Sequence, residues 1–195
     1  HVALPSTGDL GDLNAHVAAL VMPINNFIVA TEPMTPEQQD GIIRGGYAVG
    51  DSRFVVNYYR FSEDRRLLFG GGESYGYRFP ADIRRTVSKP MLEIFPQLKG
   101  VRLDFAWGGT LAITMNRMPH FERIAGNVLS LSGYSGHGLA TATLAGQIAA
   151  ETIAGQAERF DVLARVPTPR FPGGSALRSP LLVLAMLWFS LRDRL

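Results

Sequence analysis

The stretch NVLSLSGYSGHG, residues 127–138, decides how this sequence folds. Its first half is a short apolar run that predicts a strand over Asn127–Ser132. Residues 139–156 follow at once, rich in alanine and leucine and without proline, which predicts a long helix. The glycines between them therefore form a strand-to-helix turn.

This turn is also the strongest candidate binding site. Glycines let a backbone approach a ligand closely, and the start of a helix offers unpaired N–H groups and a positive dipole end. An electron-rich or anionic group is stabilised in such a place. The same glycines also fit a tight turn with no ligand, and the residues alone favour that second interpretation.

Outward from the turn, the sequence predicts a mixed α and β fold with an antiparallel sheet. Apolar residues at a spacing of three and four predict a helix over Ala81–Phe95, which Pro90 would kink or split. The polar residues Ser62–Arg65 connect two β-prone runs and predict a hairpin. The other expectations are a loop over residues 1–14, a short helix over Ala15–Leu20, strands over Asn25–Thr31, Arg53–Phe61, Arg66–Phe69 and Val101–Thr114, and a last helix from Leu181.

Two further places carry candidate functional side chains. Trp107-Gly108-Gly109 is a tryptophan beside paired glycines, which suits either the cover of a planar ligand or core packing. Tyr58 and Tyr59 are neighbours on a predicted strand, so one ring faces the core while the other is free to face a cavity. Gly70-Gly71-Gly72 and Gly45-Gly46 do not match G-x-G-x-x-G and are typical of turns.

Several other classes of site are not indicated. His16, His120 and His137 lack the spacing of a metal site. Ser135 misses the G-x-S-x-G pattern of serine hydrolases by one position. The charges, 19 basic against 17 acidic, are scattered, which argues against a nucleic-acid partner.

The composition and the apolar run near the C-terminus indicate where in the cell the protein is expected. The sequence has no cysteine, so disulfides and thiolate metal sites are excluded and a reducing cytoplasm is expected. The run Leu181–Leu191 is about half of the ~20 residues that a membrane span needs. Contact with a membrane surface or a partner subunit is open to it, but packing on the same protein is the favoured expectation.

Taken together, these segments resemble the D-amino-acid-oxidase-like flavoprotein superfamily, and within it the gamma-glutamylputrescine oxidoreductase branch. The likeness covers nearly the whole chain, and GYSGHG with its alanine-rich helix is the most specific part. The segments that carry it are Met22–Pro33, Arg53–Arg60, Leu67–Gly71, Trp107–Gly109, Gly133–Gly138 and Phe171–Gly174.

The resemblance implies that the chain is part of an FAD-dependent amine or amino-acid oxidase acting by hydride transfer to flavin N5. It favours an amine substrate like gamma-glutamylputrescine, because Ala140 stands where sarcosine-oxidase relatives carry a lysine. FAD would be non-covalent, since the cysteine that links flavin in those relatives is absent. The implied FAD contacts are Trp107, Gly108, Gly109, Gly133, Ser135, Gly136, His137, Gly138 and Leu139, and the substrate contacts are Tyr58 and Tyr59.

The resemblance also sets the expected domains. Residues 1–110 correspond mainly to an antiparallel substrate-binding sheet with covering helices, 111–164 to the C-terminal piece of the FAD-binding domain, and 165–195 to a Pro/Gly-rich connection and an apolar helix. The family's N-terminal βαβ unit with its G-x-G-x-x-G fingerprint does not occur in this sequence. FAD binding is therefore expected to need a further portion or subunit, the alternative being a truncated, non-catalytic binding or interaction domain of the same ancestry.

Overall fold

The structure is a computed structural model that describes residues 2–5, 14–53, 56–75, 78–172, 180–181 and 183–184. The chain divides into two compact units. Within the described residues, the first unit combines the parts of the chain before Asn25 with Thr110–Leu184, and the second is Asn25–Gly109.

The first unit is built on a three-stranded sheet covered by helices. Its strands, in the spatial order β1-β8-β7, are β1 (Val2–Pro5), β8 (Val128–Ser132) and β7 (His120–Ala125). β1 is parallel to β8 and β7 is antiparallel to it. The helices of this unit are α1 (Ala15–Ala18), α4 (Gly138–Ile153) and α5 (Glu158–Ala164).

Side chains along β8 alternate between the two faces of the sheet, and this alternation places the core of the first unit. Leu129 and Leu131 point to one face, where they pack with Ile148 of α4 and Phe160 of α5. Ser130 and Ser132 alternate with these leucines and are also buried. This arrangement fixes the end of β8, and hence the glycine turn, against α4.

The second unit contains most of a five-stranded sheet in the order β3-β4-β5-β2-β6. The pairs β3–β4 and β4–β5 are antiparallel. Helix α3 packs on one face, where Val87 and Met91 join Phe27 and Phe69 in a buried core. The elements are β2 (Met22–Thr31), α2 (Pro36–Asp40), β3 (Val49–Gly50), β4 (Tyr58–Phe61), β5 (Leu67–Tyr75), α3 (Ile83–Ile94) and β6 (Leu103–Ile113).

Most of the predicted elements are confirmed, including the mixed α and β class, the antiparallel hairpin and the long helix after the glycine turn. Pro90 lies inside α3 without splitting it. Across the described residues, no helix combines the length and apolar character needed to cross a bilayer. The predicted helix from Leu181 to Leu191 lies largely outside the described residues.

Two expectations are wrong. The opening residues are not all loop, because Val2–Pro5 form β1 by pairing with β8, a partner that the local sequence does not reveal. Gly70–Gly72 are not a turn but part of β5. A Cβ on Gly70 would lie 2.1 Å from the Tyr58 ring, so the glycine makes room for that side chain.

Candidate functional site

The glycine turn of the first unit has a backbone that favours glycine. Gly133, Ser135 and Gly136 have φ values of 70°, 53° and 94°, in the left-handed region. A Cβ on Gly133 would approach Thr114 Cγ2 to 2.5 Å, so no larger residue fits there without a shift. Gly136, by contrast, has nothing within 4 Å of such an atom and faces open space.

Hydrogen bonds fasten this turn to the end of β6. The Ser135 amide donates to the Ala112 carbonyl at 2.9 Å. The Ser135 hydroxyl accepts from the Thr114 amide at 3.1 Å and donates to the Gly133 carbonyl at 3.1 Å. The resemblance assigns Ser135 to FAD, but the hydroxyl of this residue makes its bonds inside the turn.

Tyr134 anchors the turn to the core of the first unit. Its hydroxyl donates to the Leu131 carbonyl at 2.8 Å, and its ring packs in the core of the first unit. Burial raises the pKa of Tyr134 above its usual value, so the phenol stays neutral at physiological pH. Its role in the turn is structural.

A groove of about 460 Å³ opens beside the turn. Its walls are mainly apolar, and Leu139 at its rim is 95% exposed. Such an apolar groove with few polar groups is typical of a site for a planar organic ligand. The residues that line it are Leu111, Ala112, Tyr134, Ser135, Gly136, Gly138, Leu139 and Ala142.

The N-terminus of α4 supplies the polar groups of this groove. His137 is the N-cap residue, and no side chain caps the helix. The first amides of α4, those of Gly138, Leu139 and Ala140, have no acceptor inside the helix. These donors and the helix dipole favour an anionic or electron-rich group. The exposed imidazole of His137 is not among the lining side chains.

The second unit presents a different candidate surface, which we call the open sheet face: the side of the sheet opposite α3. A Cβ on Gly108 would lie 2.5 Å from the Phe27 ring, so Gly108 faces the core. Its neighbours Trp107 and Gly109 therefore point to the open sheet face. Trp107 is 43% exposed and Gly109 has open space above it.

The two tyrosines divide between the faces of the sheet. Tyr59 stacks on Phe69 with ring centroids 5.6 Å apart, in the core beneath α3. Tyr58 lies on the open sheet face, where its hydroxyl is hydrogen-bonded to Asn26 Oδ1. Of the two predicted substrate residues, Tyr58 has the accessible ring.

The predicted site residues thus fall into two groups. The first unit holds Gly133, Ser135, Gly136, His137, Gly138 and Leu139, and the second holds Tyr58, Tyr59, Trp107, Gly108 and Gly109. The sequence did not indicate Leu111, Ala112 and Ala142 as groove residues, because apolar side chains that line a groove look like core residues. It also missed Asn26, although its alternation with Phe27 on β2 was a usable signal. In the part of the chain that the structure describes, no cluster of His, Asp and Glu is arranged to hold a metal.

Comparison with known proteins shows which family the chain is similar to. The model of the FAD dependent oxidoreductase family, DAO, matches residues 5–152. The chain is 41% identical to gamma-glutamylputrescine oxidoreductase of Escherichia coli over 196 residues, which is the whole chain and 46% of that protein. It is 43% identical to the probable oxidoreductase OrdL of Rhizobium meliloti, over 96% of the chain and 43% of the relative. The chain therefore spans about half the length of the curated relatives it matches.

Solved structures share the fold at lower identity. L-proline dehydrogenase from P. horikoshii has a TM-score of 0.59 at 20% identity, covering 93% of this chain and 46% of that one. Glycine oxidase from Geobacillus kaustophilus has a TM-score of 0.57 at 16% identity, covering 72% and 37%. Since the family model matches most of the residues, the chain belongs to the FAD dependent oxidoreductase (DAO) family.

Proposed function

We propose that this chain is the part of an FAD-dependent amine oxidase that holds the flavin end of the cofactor and presents the substrate face. The observation that carries the proposal is the uncapped N-terminus of α4 beside the apolar groove. The identity with gamma-glutamylputrescine oxidoreductase supports an amine substrate of that type. The activity of a whole protein remains a proposal, since the relatives are about twice as long.

The groove fits a flavin in both shape and chemistry. Apolar walls suit an aromatic ring system, and glycine at positions 136 and 138 leaves the backbone open to close approach. The amides at the start of α4 would donate to the electron-rich edge of the ring. We propose Gly136, Gly138 and Leu139 as the principal cofactor contacts. Ser135 and Gly133 would shape the turn, and His137 would contribute through its backbone.

Bound FAD supplies the hydride acceptor for oxidation of a C–H bond beside an amine nitrogen. The residues of this chain bind and orient the two reactants. On the open sheet face, Tyr58, Asn26 and Trp107 offer aromatic and amide surface to a small amine. Trp107 and Gly109 are kept as proposed cofactor contacts, as the resemblance implies. Tyr59 would act only through packing.

A further portion is proposed to complete the FAD site. The phosphates of a dinucleotide need a fingerprint such as G-x-G-x-x-G, and this sequence does not contain it. Leu144 and Ile153 are further exposed apolar side chains of α4, and they support a covering partner. Two further expectations are proposals of the same kind. One is the division into substrate, FAD-binding and C-terminal segments over 1–110, 111–164 and 165–195, and the other is the cytoplasmic location.

Flavin binding by glycine variants of α4 tests the proposal. The purified chain is titrated with FAD, alone and after adding the N-terminal half of a relative, and bound flavin is followed by visible absorbance. Gly138→Ala places a methyl group in the groove at an ordinary 3.7 Å from Tyr134, so the fold tolerates it and FAD affinity falls. Gly146→Ala is the matched control, on the same helix and away from the groove. Equal FAD affinity in the two variants, or no flavin uptake under either condition, rejects the proposal.

A further inference from the structure

The side chain of Tyr58 lies across the sheet rather than standing away from it. Tyr58 on β4 is the direct cross-strand partner of Gly70 on β5. Its hydroxyl reaches Asn26 on β2, which is the next strand beyond β5. The ring therefore covers Gly70, as its 2.1 Å approach to the position of a Cβ there requires.

This geometry depends on both ends of the side chain. Alanine in place of Gly70 would put a methyl group where the ring now lies, and the ring would have to lift off the sheet. The bond to Asn26 fixes the far end, so the ring has a defined position although the residue is 36% exposed. A held, half-exposed aromatic ring on a sheet is a preformed surface rather than a mobile side chain.

The surroundings of the ring are negative, because the Glu73 carboxylate lies close enough to act on its phenol. Glu73 follows Gly70, the cross-strand partner of Tyr58, on strand β5. Burial first, and the charge of Glu73 second, raise the pKa of Tyr58 above its usual value. The phenol is therefore neutral at physiological pH, and the nearby carboxylate makes its environment attractive to cations.

We propose that Tyr58, laid over Gly70 and fixed by Asn26, is a cation–π platform that binds the ammonium group of the amine substrate. This inference rests on the proposed function, which it deepens by naming a subsite. The outward side of a tyrosine ring attracts a cation through its negative π face. The hydroxyl already donates to Asn26, and Glu73 repels anions, so the platform favours an ammonium group over a carboxylate.

Variants of Tyr58 separate a role of the ring from a role of the hydroxyl. The full chain, without flavin, is titrated with butylammonium chloride, and binding is followed by NMR shifts. Tyr58→Phe keeps the ring over Gly70 and loses only the bond to Asn26, so binding is expected to weaken by no more than about twofold. Tyr58→Leu removes the ring and is expected to weaken binding by about 3- to 10-fold. Tyr47→Leu, in an exposed loop, is the matched control and leaves binding unchanged.

A second variant tests whether binding depends on the position of the Tyr58 ring over Gly70. Gly70→Ala keeps the tyrosine but displaces its ring, so it is expected to weaken binding as Tyr58→Leu does, and circular dichroism checks its folding. Equal losses in Tyr58→Phe and Tyr58→Leu would assign the contact to the hydroxyl and overturn the proposal. So would undetectable binding by the parent chain or unchanged binding by Tyr58→Leu. Because no flavin is present, these outcomes are independent of the FAD titration.

Discussion

The Thr114 amide donates a 3.1 Å hydrogen bond to the hydroxyl of Ser135, and this bond joins the end of β6 to the glycine turn. Both residues are buried. The turn is thus held by a side chain whose own backbone lies in the left-handed region. The proposed flavin groove therefore depends on a residue that need not touch the flavin.

Replacing Ser135 with alanine is expected to destabilise the first unit. The buried Thr114 amide would lose this acceptor, a change that costs about 1–3 kcal/mol. Backbone strain does not change, because both residues carry a Cβ. Urea denaturation measures the difference in free energy of unfolding.

Ser130→Ala is the control for that variant. The Ser130 hydroxyl is buried and has no hydrogen-bond partner among the described residues. Its removal is expected to leave the stability unchanged or slightly increased. Equal destabilisation by the two alanines would show that the Ser135 bond is not what holds the turn.

The titration of Tyr58 is expected to respond to Glu73. Burial is the larger reason for the raised pKa of Tyr58, and the Glu73 charge is the smaller one. Glu73→Gln should therefore lower the pKa toward 10.0 without reaching it. The ultraviolet difference titration between each chain and its Tyr58→Phe counterpart isolates this one phenol. Glu63→Gln, in the β4–β5 turn, is expected to change nothing, and an identical shift in both variants contradicts the assignment.

Acid stability is expected to depend on Asp104. Its carboxylate accepts from Arg102 Nε at 2.6 Å and from Arg66 Nη1 at 2.5 Å. These bonds, with that to Arg102 the larger cause, lower the pKa of Asp104 below its usual 3.8. A carboxyl group whose pKa is lower in the folded than in the unfolded state stabilises the fold at pH values above its unfolded-state pKa. It loses that contribution as the pH falls through its folded-state pKa.

Asp104→Asn should consequently be less stable than the parent chain at pH 7, with the two converging at low pH. Thermal melts between about pH 2 and pH 7 measure the difference. Asp40→Asn, at an exposed position, serves as the reference. A difference between Asp104→Asn and the parent that is the same at every pH would contradict the expected linkage.

Glu122 is expected to hold residues 167–170 on the first unit. Its carboxylate pairs with His16 Nε2 at 3.2 Å and His120 Nε2 at 3.1 Å. In turn, Arg170 Nη2 donates to His16 Nδ1 at 3.0 Å, and Thr168 Oγ1 is 3.0 Å from His120 Nδ1. Removing the carboxylate leaves both histidines without their common acceptor.

Glu122→Ala should therefore speed tryptic cleavage after Arg170. A loss of about 1–2 kcal/mol in local stability corresponds to about 5- to 30-fold faster cleavage when local opening and closing of the segment are fast relative to cleavage. Glu151→Ala, which removes an exposed bridge to Arg159, should leave this rate unchanged. If cleavage after Arg170 is no faster in Glu122→Ala, the segment is held by other contacts.

The sequence predicted where the glycine turn lies but not how it is held. The left-handed conformation of Ser135 is unusual for a residue with a Cβ, and it follows from tertiary bonds to Thr114 and Ala112. Alternation placed Tyr58 and Tyr59 on opposite faces of a strand. Which of them faces the core depends on where α3 packs, and that is a property of the assembled sheet rather than of the strand.

The three glycines of β5 also show that local sequence preferences do not decide every element. Consecutive glycines favour turns on local grounds, because they lower strand stability. Gly70 lies in a strand since the Tyr58 ring occupies the space that its side chain would need. A contact between strands thus overrides a local preference, and it is not visible in the sequence of β5 alone.

The parallel pairing of β1 with β8, Val2 opposite Val128, has a consequence for the order of folding. The second unit, Asn25–Gly109, is synthesised between the two halves of the first. Closing such a long loop costs entropy before the strand contacts offset it, which makes the pairing slow. During synthesis β1 is made well before β8, so the edge of β1 that pairs with β8 has to wait for that partner. Chaperone dependence and aggregation of nascent chains should therefore concentrate in that interval.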